Sequence, residues 1–262
     1  MPTMDDDIAL AHRLAAAAGE AIRPYFRAAF VQETKADSSA VTEADRAAEQ
    51  AMRDILERER PEDGIVGEEF GSVREGASRQ WVLDPIDGTQ SFIAGRPIFG
   101  TLIGLMQQGW PLLGAIDQPI ACERWIGATG RATLFNGAPA KTRRCKSIEG
   151  ATVATTSPHC FSDDEADAYL RLLAAAYGKH PWPLYGGDCY NYALLASGHV
   201  DIVVETGLKL HDFAALVAVV EGAGGQMCDW RGDPLSATSD GRVIALGEPA
   251  RLDDVLEVLH GH

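Results

Sequence analysis

The sequence is short of positive charge. It has 23 lysine and arginine residues against 38 aspartate and glutamate residues, which gives a formal net charge of −15 at pH 7. Nucleic-acid affinity rests mainly on lysine and arginine contacts to phosphates, so we do not expect a nucleic acid as partner. A small phosphorylated substrate remains allowed, because bound divalent cations can supply positive charge locally.

Closely spaced cysteine pairs are also lacking. The chain has five cysteines, an odd number at wide spacing without a CxxC motif: Cys122, Cys145, Cys160, Cys189 and Cys228. This pattern indicates neither a disulfide framework nor a zinc cluster. It favours a reducing, cytoplasmic compartment.

A long uninterrupted hydrophobic run is absent near the N-terminus. The apolar stretch at residues 8–22 is broken by His12, Arg13 and Glu20, and aspartates occupy positions 5–7, where a signal peptide would carry positive charge. We therefore expect an amphipathic helix there and no membrane association. With 262 residues, 46% of them hydrophobic and 23% charged, the composition is typical of a globular enzyme.

The first half of the chain predicts two helices followed by strands. Apolar residues recur at helical spacing from Asp5 to about Phe26, and Thr42 with Asp45 resembles a capping box that opens a second helix ending near Arg60. Short apolar runs then continue to the Asn136-Gly137 turn. We interpret residues 1–146 as an α+β lobe with two helices on an antiparallel sheet.

The second half alternates between strand and helix patterns. Helices are predicted at residues 163–177, 188–197, 211–222 and 252–259, with strands at 151–155, 184–185, 200–205, 226–230 and 243–246. We interpret residues 147–262 as an α/β lobe. A cleft between two such lobes is the natural place for a ligand.

The sharpest motif is the acidic turn at residues 84–89, Asp-Pro-Ile-Asp-Gly-Thr. It places the carboxylates of Asp84 and Asp87 three residues apart across a proline-fixed turn that follows an apolar strand. Magnesium prefers octahedral oxygen ligands, usually a few carboxylates with water and substrate phosphate. Gly88 and Thr89 then open a helix, where free amides and the macrodipole suit a phosphate.

Turn chemistry alone also explains this motif, since Asp-Pro and Asp-Gly pairs are common turn formers. The preceding apolar run supports a metal site, because it too ends in carboxylates, Glu68 and Glu69. Neighbouring strands would bring these side chains beside Asp84. Asp212, which begins a helix far along the chain, is by itself better explained as an ordinary helix cap than as a functional residue.

Together these residues resemble the inositol monophosphatase family. The matching segments are Gly67-Glu68-Glu69, the acidic turn at residues 84–89, and Asp212-Phe213-Ala214-Ala215, and the order of helices and strands matches over nearly the whole chain. The resemblance implies a layered αβαβα sandwich and magnesium-dependent phosphate monoester hydrolysis with two or three ions. It also implies a homodimer and sensitivity to lithium.

The resemblance further assigns residues to roles. Five positions match metal ligands: the side chains of Glu68, Asp84, Asp87 and Asp212 and the carbonyl of Ile86. Gly88 and Thr89 match amides that contact phosphate.

Thr42-Glu43-Ala44-Asp45 matches a family motif whose aspartate pairs with the threonine of the acidic turn. Asp45 would then orient the Thr89 hydroxyl and, with Glu68, help deprotonate the attacking water. One position departs from the family pattern, because His211 stands where tryptophan usually precedes the last metal aspartate. We interpret His211 as a packing or substrate-side variation rather than a fourth ligand.

Within the family, residues 99–103 and 185–192 look like the branch that hydrolyses histidinol phosphate. That substrate carries an amino group and an imidazole, which require carboxylate and amide partners. We expect Asp188 and Glu205 to meet the cation and Asn191 to bond the imidazole. A helix cap explains Asp188 equally well.

The expected function is therefore hydrolysis of histidinol phosphate, a step of histidine biosynthesis, by a metal-activated water. One alternative is a phosphatase for inositol 1-phosphate or another small sugar phosphate. A second alternative is a metal-binding regulatory protein without catalysis, which is disfavoured because every position needed to activate water carries a suitable residue.

Overall fold

A computed structural model describes residues 2–28, 32–34 and 40–261. The helices of the described chain are α1 (Met4–Ile22), α2 (Glu43–Glu59), α3 (Thr89–Ile93), α4 (Asp163–Tyr177), α5 (Cys189–Ala196), α6 (Leu210–Gly222) and α7 (Leu252–His260). The predicted capping contact of the Thr42 side chain lies outside the described residues.

Helix α1 is shorter than predicted. The sequence pattern extends to about Phe26, but the α-helix ends at Ile22 and a single 3-10 turn follows at Arg23–Tyr25. Pro24 explains the difference, because proline has no amide hydrogen to continue the α-helical bonding. The other predicted helix ends agree with the structure to within two residues.

The strands form one short two-stranded sheet and two larger sheets. The short sheet pairs β1 (Gln32–Thr34) with β2 (Ala40–Thr42). The larger of the other two has the order β10-β9-β8-β7-β6-β5-β3-β4, with bounds β3 (Gly64–Gly67), β4 (Gly71–Val73), β5 (Arg79–Asp87), β6 (Gly100–Gln107), β7 (Trp110–Gln118), β8 (Glu123–Ala128), β9 (Leu134–Phe135) and β10 (Ala138–Pro139).

One pair of strands in this eight-stranded sheet matters most for function. All its strands are antiparallel except β3 and β5, which run parallel with Gly67 opposite Leu83. The prediction of a purely antiparallel sheet is therefore wrong at this pair. Because the strands run in the same direction, both deliver the carboxylates that follow them to the same edge.

The third sheet has the order β12-β11-β13-β15-β14. Its strands are β11 (Val153–Thr155), β12 (Leu184–Tyr185), β13 (Ile202–Glu205), β14 (Gln226–Cys228) and β15 (Val243–Leu246). Strand β11 is parallel to both β12 and β13, whereas β15 is antiparallel to both of its neighbours.

The buried apolar side chains divide the molecule into five layers. Helices α1 and α2 pack on one face of the eight-stranded sheet, and α5 and α6 fill the space between the two large sheets. Helices α4 and α7 cover the outer face of the five-stranded sheet. This arrangement confirms the predicted αβαβα sandwich.

All five cysteines are free thiols in the described part of the chain. No helix within residues 2–28, 32–34 and 40–261 has the length and apolarity needed to cross a membrane.

Candidate metal centre and substrate cavity

The acidic turn follows from a break in strand β5. Pro85 has no amide hydrogen to donate, and the pairing of β5 with β6 shifts register between Asp84 and Asp87. The Pro85 carbonyl accepts the hydroxyl of Thr101 at 2.7 Å, which fixes the turn against β6. Gly88 then takes a left-handed conformation with φ of 83°, and α3 begins at Thr89.

Three of the predicted metal ligands converge at this turn. One carboxylate oxygen each from Asp84, Asp87 and Asp212 lies within 4.8 Å of the others. Glu68 follows β3 on the neighbouring strand, where its amide donates to the Leu83 carbonyl at 3.2 Å. Carboxylates from β5 and α6 therefore meet in one cleft, and the charge of Glu68 lies close enough to raise the pKa of Asp84.

The charge of this cluster is unfavourable without a cation. Burial raises the pKa of Asp84 well above its usual range, and the nearby charges of Glu68, Asp87, Asp212 and Asp45 raise it further. The pKa of Asp87 is raised in the same direction by burial and by Asp188 and Asp212. A bound cation would remove this repulsion.

The side chains present fit a hard divalent cation. Asp84 is buried at 2% exposure, and its Oδ1 atom has no hydrogen-bond partner among the described residues. Buried polar atoms are nearly always hydrogen-bonded, so an unpartnered carboxylate oxygen beside two other carboxylates is suited to bind a cation. An all-oxygen donor set of this kind suits magnesium better than zinc or copper.

Asp212 combines a structural contact with its place in the cluster. Its Oδ2 accepts the Lys209 amide at 2.6 Å, so the helix-cap interpretation is also correct. The Nε2 atom of His211 lies 3.4 Å from Asp212 Oδ1. His211 thus lies beside this carboxylate and acts to lower the pKa of Asp212, against the larger effect of burial.

The contacts of Thr89 differ from the predicted ones. Its hydroxyl donates to the Ile86 carbonyl at 2.9 Å, not to Asp45. That carbonyl oxygen keeps a second lone pair, which leaves it available as a ligand. Asp45 is buried on α2 and lies close enough to raise the pKa of Asp84.

A cavity of about 220 Å³ adjoins the acidic cluster. Asp87 and Asp212 form part of its wall, and Asp188 and Glu205 bring two further carboxylates to it. Its polar lining also includes residues that sequence reasoning missed, namely Thr155, Thr156, Ser157, Cys160, Tyr192 and Thr206. The pairing of β11 with β13 brings together the segments that follow these two strands, and Tyr192 comes from α5, so no local sequence signal marks this wall.

Glu205, at the end of β13, is held by three hydrogen bonds. It accepts the amide and hydroxyl of Thr156 at 2.8 and 2.5 Å and the phenol hydroxyl of Tyr192 at 3.0 Å. These bonds favour the charged form, but burial outweighs them and raises the pKa of Glu205 to about 7. This carboxyl can therefore change charge near neutral pH.

Asp188 occupies an unusual backbone conformation, with φ of 44° and ψ of −126°. Such a conformation is strained for a residue with a Cβ and commonly marks a functional position. The next amide, of Cys189, donates to Asp87 Oδ2 at 2.6 Å and joins this loop to the acidic turn. Burial raises the pKa of Asp188 to about 6.

Asn191 does not lie where the sequence argument put it. It is buried at 3% exposure, its amide group donates to the Gly186 carbonyl at 2.9 Å, and it is not part of the cavity wall. A Cβ added to Gly187 would lie 2.7 Å from Asn191 Oδ1. Asn191 therefore supports the loop that carries Asp188.

The raised pKa values predict how stability depends on pH. For Glu205 the shift from 4.5 to about 7 stabilises the fold below the unfolded pKa, and this contribution is lost as pH rises through the folded pKa. A shift of this size corresponds to about 3 kcal/mol. We expect the Tm of the metal-free protein to fall by about 5–10 °C between about pH 5 and pH 8, with a shallower fall in Glu205→Gln. A flat Tm, or equal slopes in the two proteins, would contradict this.

Sequence comparison identifies close relatives. The model of the inositol monophosphatase family matches residues 3–260. The bifunctional phosphatase IMPL2, chloroplastic, of Arabidopsis thaliana is 48% identical over 268 residues, covering 99% of this chain and 76% of that protein. A histidinol-phosphatase of Mycobacterium tuberculosis is 38% identical over 226 residues, covering 85% of this chain and 86% of that protein.

Structure comparison agrees with the sequence comparison. A solved structure described as an inositol monophosphatase from Zymomonas mobilis superposes with a TM-score of 0.89 at 51% identity. The match covers 99% of this chain and 100% of that one. The chain as a whole therefore has the fold of these relatives.

Proposed function

This chain belongs to the inositol monophosphatase family, and on that premise we propose that it hydrolyses histidinol phosphate to histidinol and phosphate with magnesium. The coarser activity follows from the family: the chain is a phosphoric monoester hydrolase that acts on a small phosphorylated substrate. Enzymes of this family depend on a metal, and the cluster of Asp84, Asp87 and Asp212 has suitable ligands.

The choice of substrate rests on the acidic residues at one end of the cavity. Asp188 and Glu205 lie there together, and no arginine or lysine forms part of the described cavity wall. An amino group or imidazolium gains charge-assisted hydrogen bonds from two such carboxylates, whereas a neutral polyol does not. Relatives named histidinol-phosphatase at 35% to 38% identity support the same choice.

The proposed catalytic roles divide among the residues of the acidic cleft. Two or three magnesium ions would be held by Asp84, Asp87, Asp212, Glu68 and the Ile86 carbonyl. When bound, these ions supply positive charge to the phosphoryl oxygens and acidify the attacking water.

The remaining groups orient the phosphate and accept the proton. Gly88 and Thr89 present first-turn amides of α3, which have no partner further back within the helix and suit a phosphate oxygen. Glu68 accepts a proton from the attacking water, with Asp45 and the Thr89 hydroxyl orienting that water. Attack is in line with the leaving alkoxide and forms no covalent phosphoenzyme.

Kinetic comparison of two substrates tests this proposal. We expect kcat/KM for histidinol phosphate to exceed that for inositol 1-phosphate by more than about tenfold, because only the first places a cation beside Asp188 and Glu205. Phosphate release with saturating magnesium measures both values. A higher value for inositol 1-phosphate would overturn the proposal.

Inositol 1-phosphate or another sugar phosphate is the second candidate substrate. The hydroxyl-bearing side chains Thr155, Thr156, Ser157 and Thr206 line the cavity and could bond a ring of hydroxyls. The Zymomonas mobilis protein described as an inositol monophosphatase gives this candidate further support. A regulatory protein without catalysis would bind magnesium and release no phosphate from either compound.

Three further features stay predictions. Residues 1–146 and 147–262 are expected to act as two lobes around the cleft. A homodimer is expected, and the exposed side chains of Trp182, Leu184 and Tyr185 offer an apolar surface for one. The free cysteines favour a cytoplasmic location.

A further inference from the structure

Helix α2 carries a buried polar stripe. Asp45, Glu49 and Arg53 recur every fourth residue on its inward side, among the apolar side chains that pack against the sheet. A buried charge costs free energy unless it is paired and hydrogen-bonded. Asp45 faces the metal cleft, whereas Glu49 and Arg53 have no part in the roles proposed above.

Glu49 contacts the turn that follows Glu68. Its side chain has 0% exposure, its Oε2 accepts the Glu69 amide at 2.7 Å, and its Oε1 accepts the Phe70 amide at 3.2 Å. Arg53 Nε donates to the same Oε1 at 2.7 Å. One carboxylate therefore holds two successive backbone amides of the turn between β3 and β4.

Arg53 fastens the other side of the same turn. Its guanidinium donates to the Gly71 carbonyl and lies 5.9 Å from the centroid of the Phe70 ring. Gly67 makes room for this arrangement, since a Cβ there would lie 1.9 Å from Glu49 Oε1. We call Glu49 and Arg53 the turn clamp.

The clamp acts on Glu68 through one peptide unit. The Glu69 amide belongs to the planar group that begins at the Glu68 Cα, so the bond to Glu49 fixes ψ of Glu68. On the other side, the Glu68 amide is fixed by the Leu83 carbonyl at 3.2 Å. With both flanking peptide planes held, the Cα–Cβ bond of Glu68 has a fixed direction, and its charge lies close enough to Asp84 to raise the pKa of that carboxyl.

We propose that Glu49 and Arg53 are positioning residues that set the affinity of the cleft for magnesium by fixing the backbone at Glu68. This inference rests on the proposed metal role of Glu68. Without Glu49, the two amides must turn toward water or stay unbonded. In both cases the backbone at Glu68 loses the bonds that hold it, and the position of the Glu68 carboxylate becomes less well defined.

The test measures magnesium binding in the full-length Glu49→Gln variant. Two magnesium concentrations are measured, the one that gives half of the maximal rise in Tm and the one that gives half-maximal phosphate release. Both should increase about tenfold, which is within the range found when residues that hydrogen-bond and orient metal ligands are removed. KM for histidinol phosphate at saturating magnesium should stay within about twofold of wild type, because the clamp does not contact the cavity.

Asp201→Asn is the matched control. Asp201 is also buried, accepts the Thr152 amide at 2.7 Å and pairs with Arg143 at 2.7 Å, but it lies away from the metal cleft. Both variants should lose stability, and only Glu49→Gln should shift the magnesium requirement. An equal requirement in the two variants would overturn the inference.

Two further variants separate failure of the clamp from failure of the proposed function. Glu68→Gln should raise the magnesium requirement at least as much as Glu49→Gln. If neither the Tm nor the activity of wild type depends on magnesium, or if Glu68→Gln leaves the magnesium requirement unchanged, the proposed metal site is wrong. The proposal for the turn clamp then fails with it. If Glu49→Gln does not fold, Arg53→Lys decides, since it keeps a charge for Glu49 but loses the second donor to Gly71. A magnesium requirement for Arg53→Lys equal to that of Asp201→Asn also overturns the inference.

Discussion

Replacing Asp84 with asparagine should lower kcat/KM by at least about 1,000-fold while raising the stability of the metal-free protein. Activity falls because the amide removes one charged ligand from the centre of the cluster. Stability rises because the asparagine side chain carries no charge to be repelled by Glu68, Asp87 and Asp212. Phosphate release at saturating magnesium and thermal unfolding in a chelator measure the two effects.

The size of the stability change depends on pH. Because the pKa of Asp84 is raised well above its usual range, the gain in Tm should be absent below the unfolded pKa of 3.8 and should grow as pH rises from there toward the folded pKa. A variant with near-wild-type activity would refute the metal assignment of Asp84. A variant less stable than wild type without metal would refute the electrostatic argument.

Asp7→Asn provides the control for this substitution. Asp7 is equally buried, at 1% exposure, but it pairs with Arg79 at 2.8 Å and with Arg60 at 3.4 Å, remote from the cleft. Losing that carboxylate leaves two arginines short of a partner and should lower the Tm. Activity should be retained at temperatures where the variant is folded.

Replacing Glu205 with glutamine should reduce kcat/KM for histidinol phosphate by about 100-fold, since a desolvated charge partner contributes a few kcal/mol. Glutamine keeps an acceptor for the Thr156 hydroxyl but offers no charge to an amino group. The change for inositol 1-phosphate should stay within about threefold, because its hydroxyls need no anion. Steady-state kinetics on both substrates measure the difference.

The pH profile separates a charge effect from a loss of shape. In wild type, KM for histidinol phosphate should fall as pH rises through about 7, where Glu205 ionises, and the corresponding fall should be weaker in Glu205→Gln. Glu221→Gln, a substitution on the exposed end of α6, should leave both profiles unchanged. Parallel losses on both substrates would show that Glu205 shapes the cavity without selecting a cation.

The acidic turn and Glu68 could be predicted because their signals are local. Each is a carboxylate directly after a short apolar strand, and strands that are close in sequence often pair. The parallel pairing of Gly67 with Leu83 then places Glu68 beside Asp84. Asp212 was different, since a helix-cap aspartate has no distinguishing pattern and only the family resemblance connected it to the turn.

Neither the turn clamp nor the cavity wall could be predicted from the sequence, for physical reasons. The sequence analysis assigned no role to Glu49 and Arg53, because glutamate and arginine on a helix are usually solvated. Glu49 and Arg53 are buried because their side chains bond backbone amide and carbonyl groups of the turn after β3. Thr156 and Tyr192 reach Glu205 through contacts 49 and 13 residues apart in the chain, which no local pattern encodes.

The most direct test of the metal centre is a crystal structure with manganese, which replaces magnesium at oxygen sites and scatters anomalously. We predict an anomalous peak among the carboxylates of Asp84, Asp87 and Asp212, close to the Glu68 side chain, and loss of that peak in Asp84→Asn. A wild-type map without a peak in this cleft, or with its only peak elsewhere, would contradict the account.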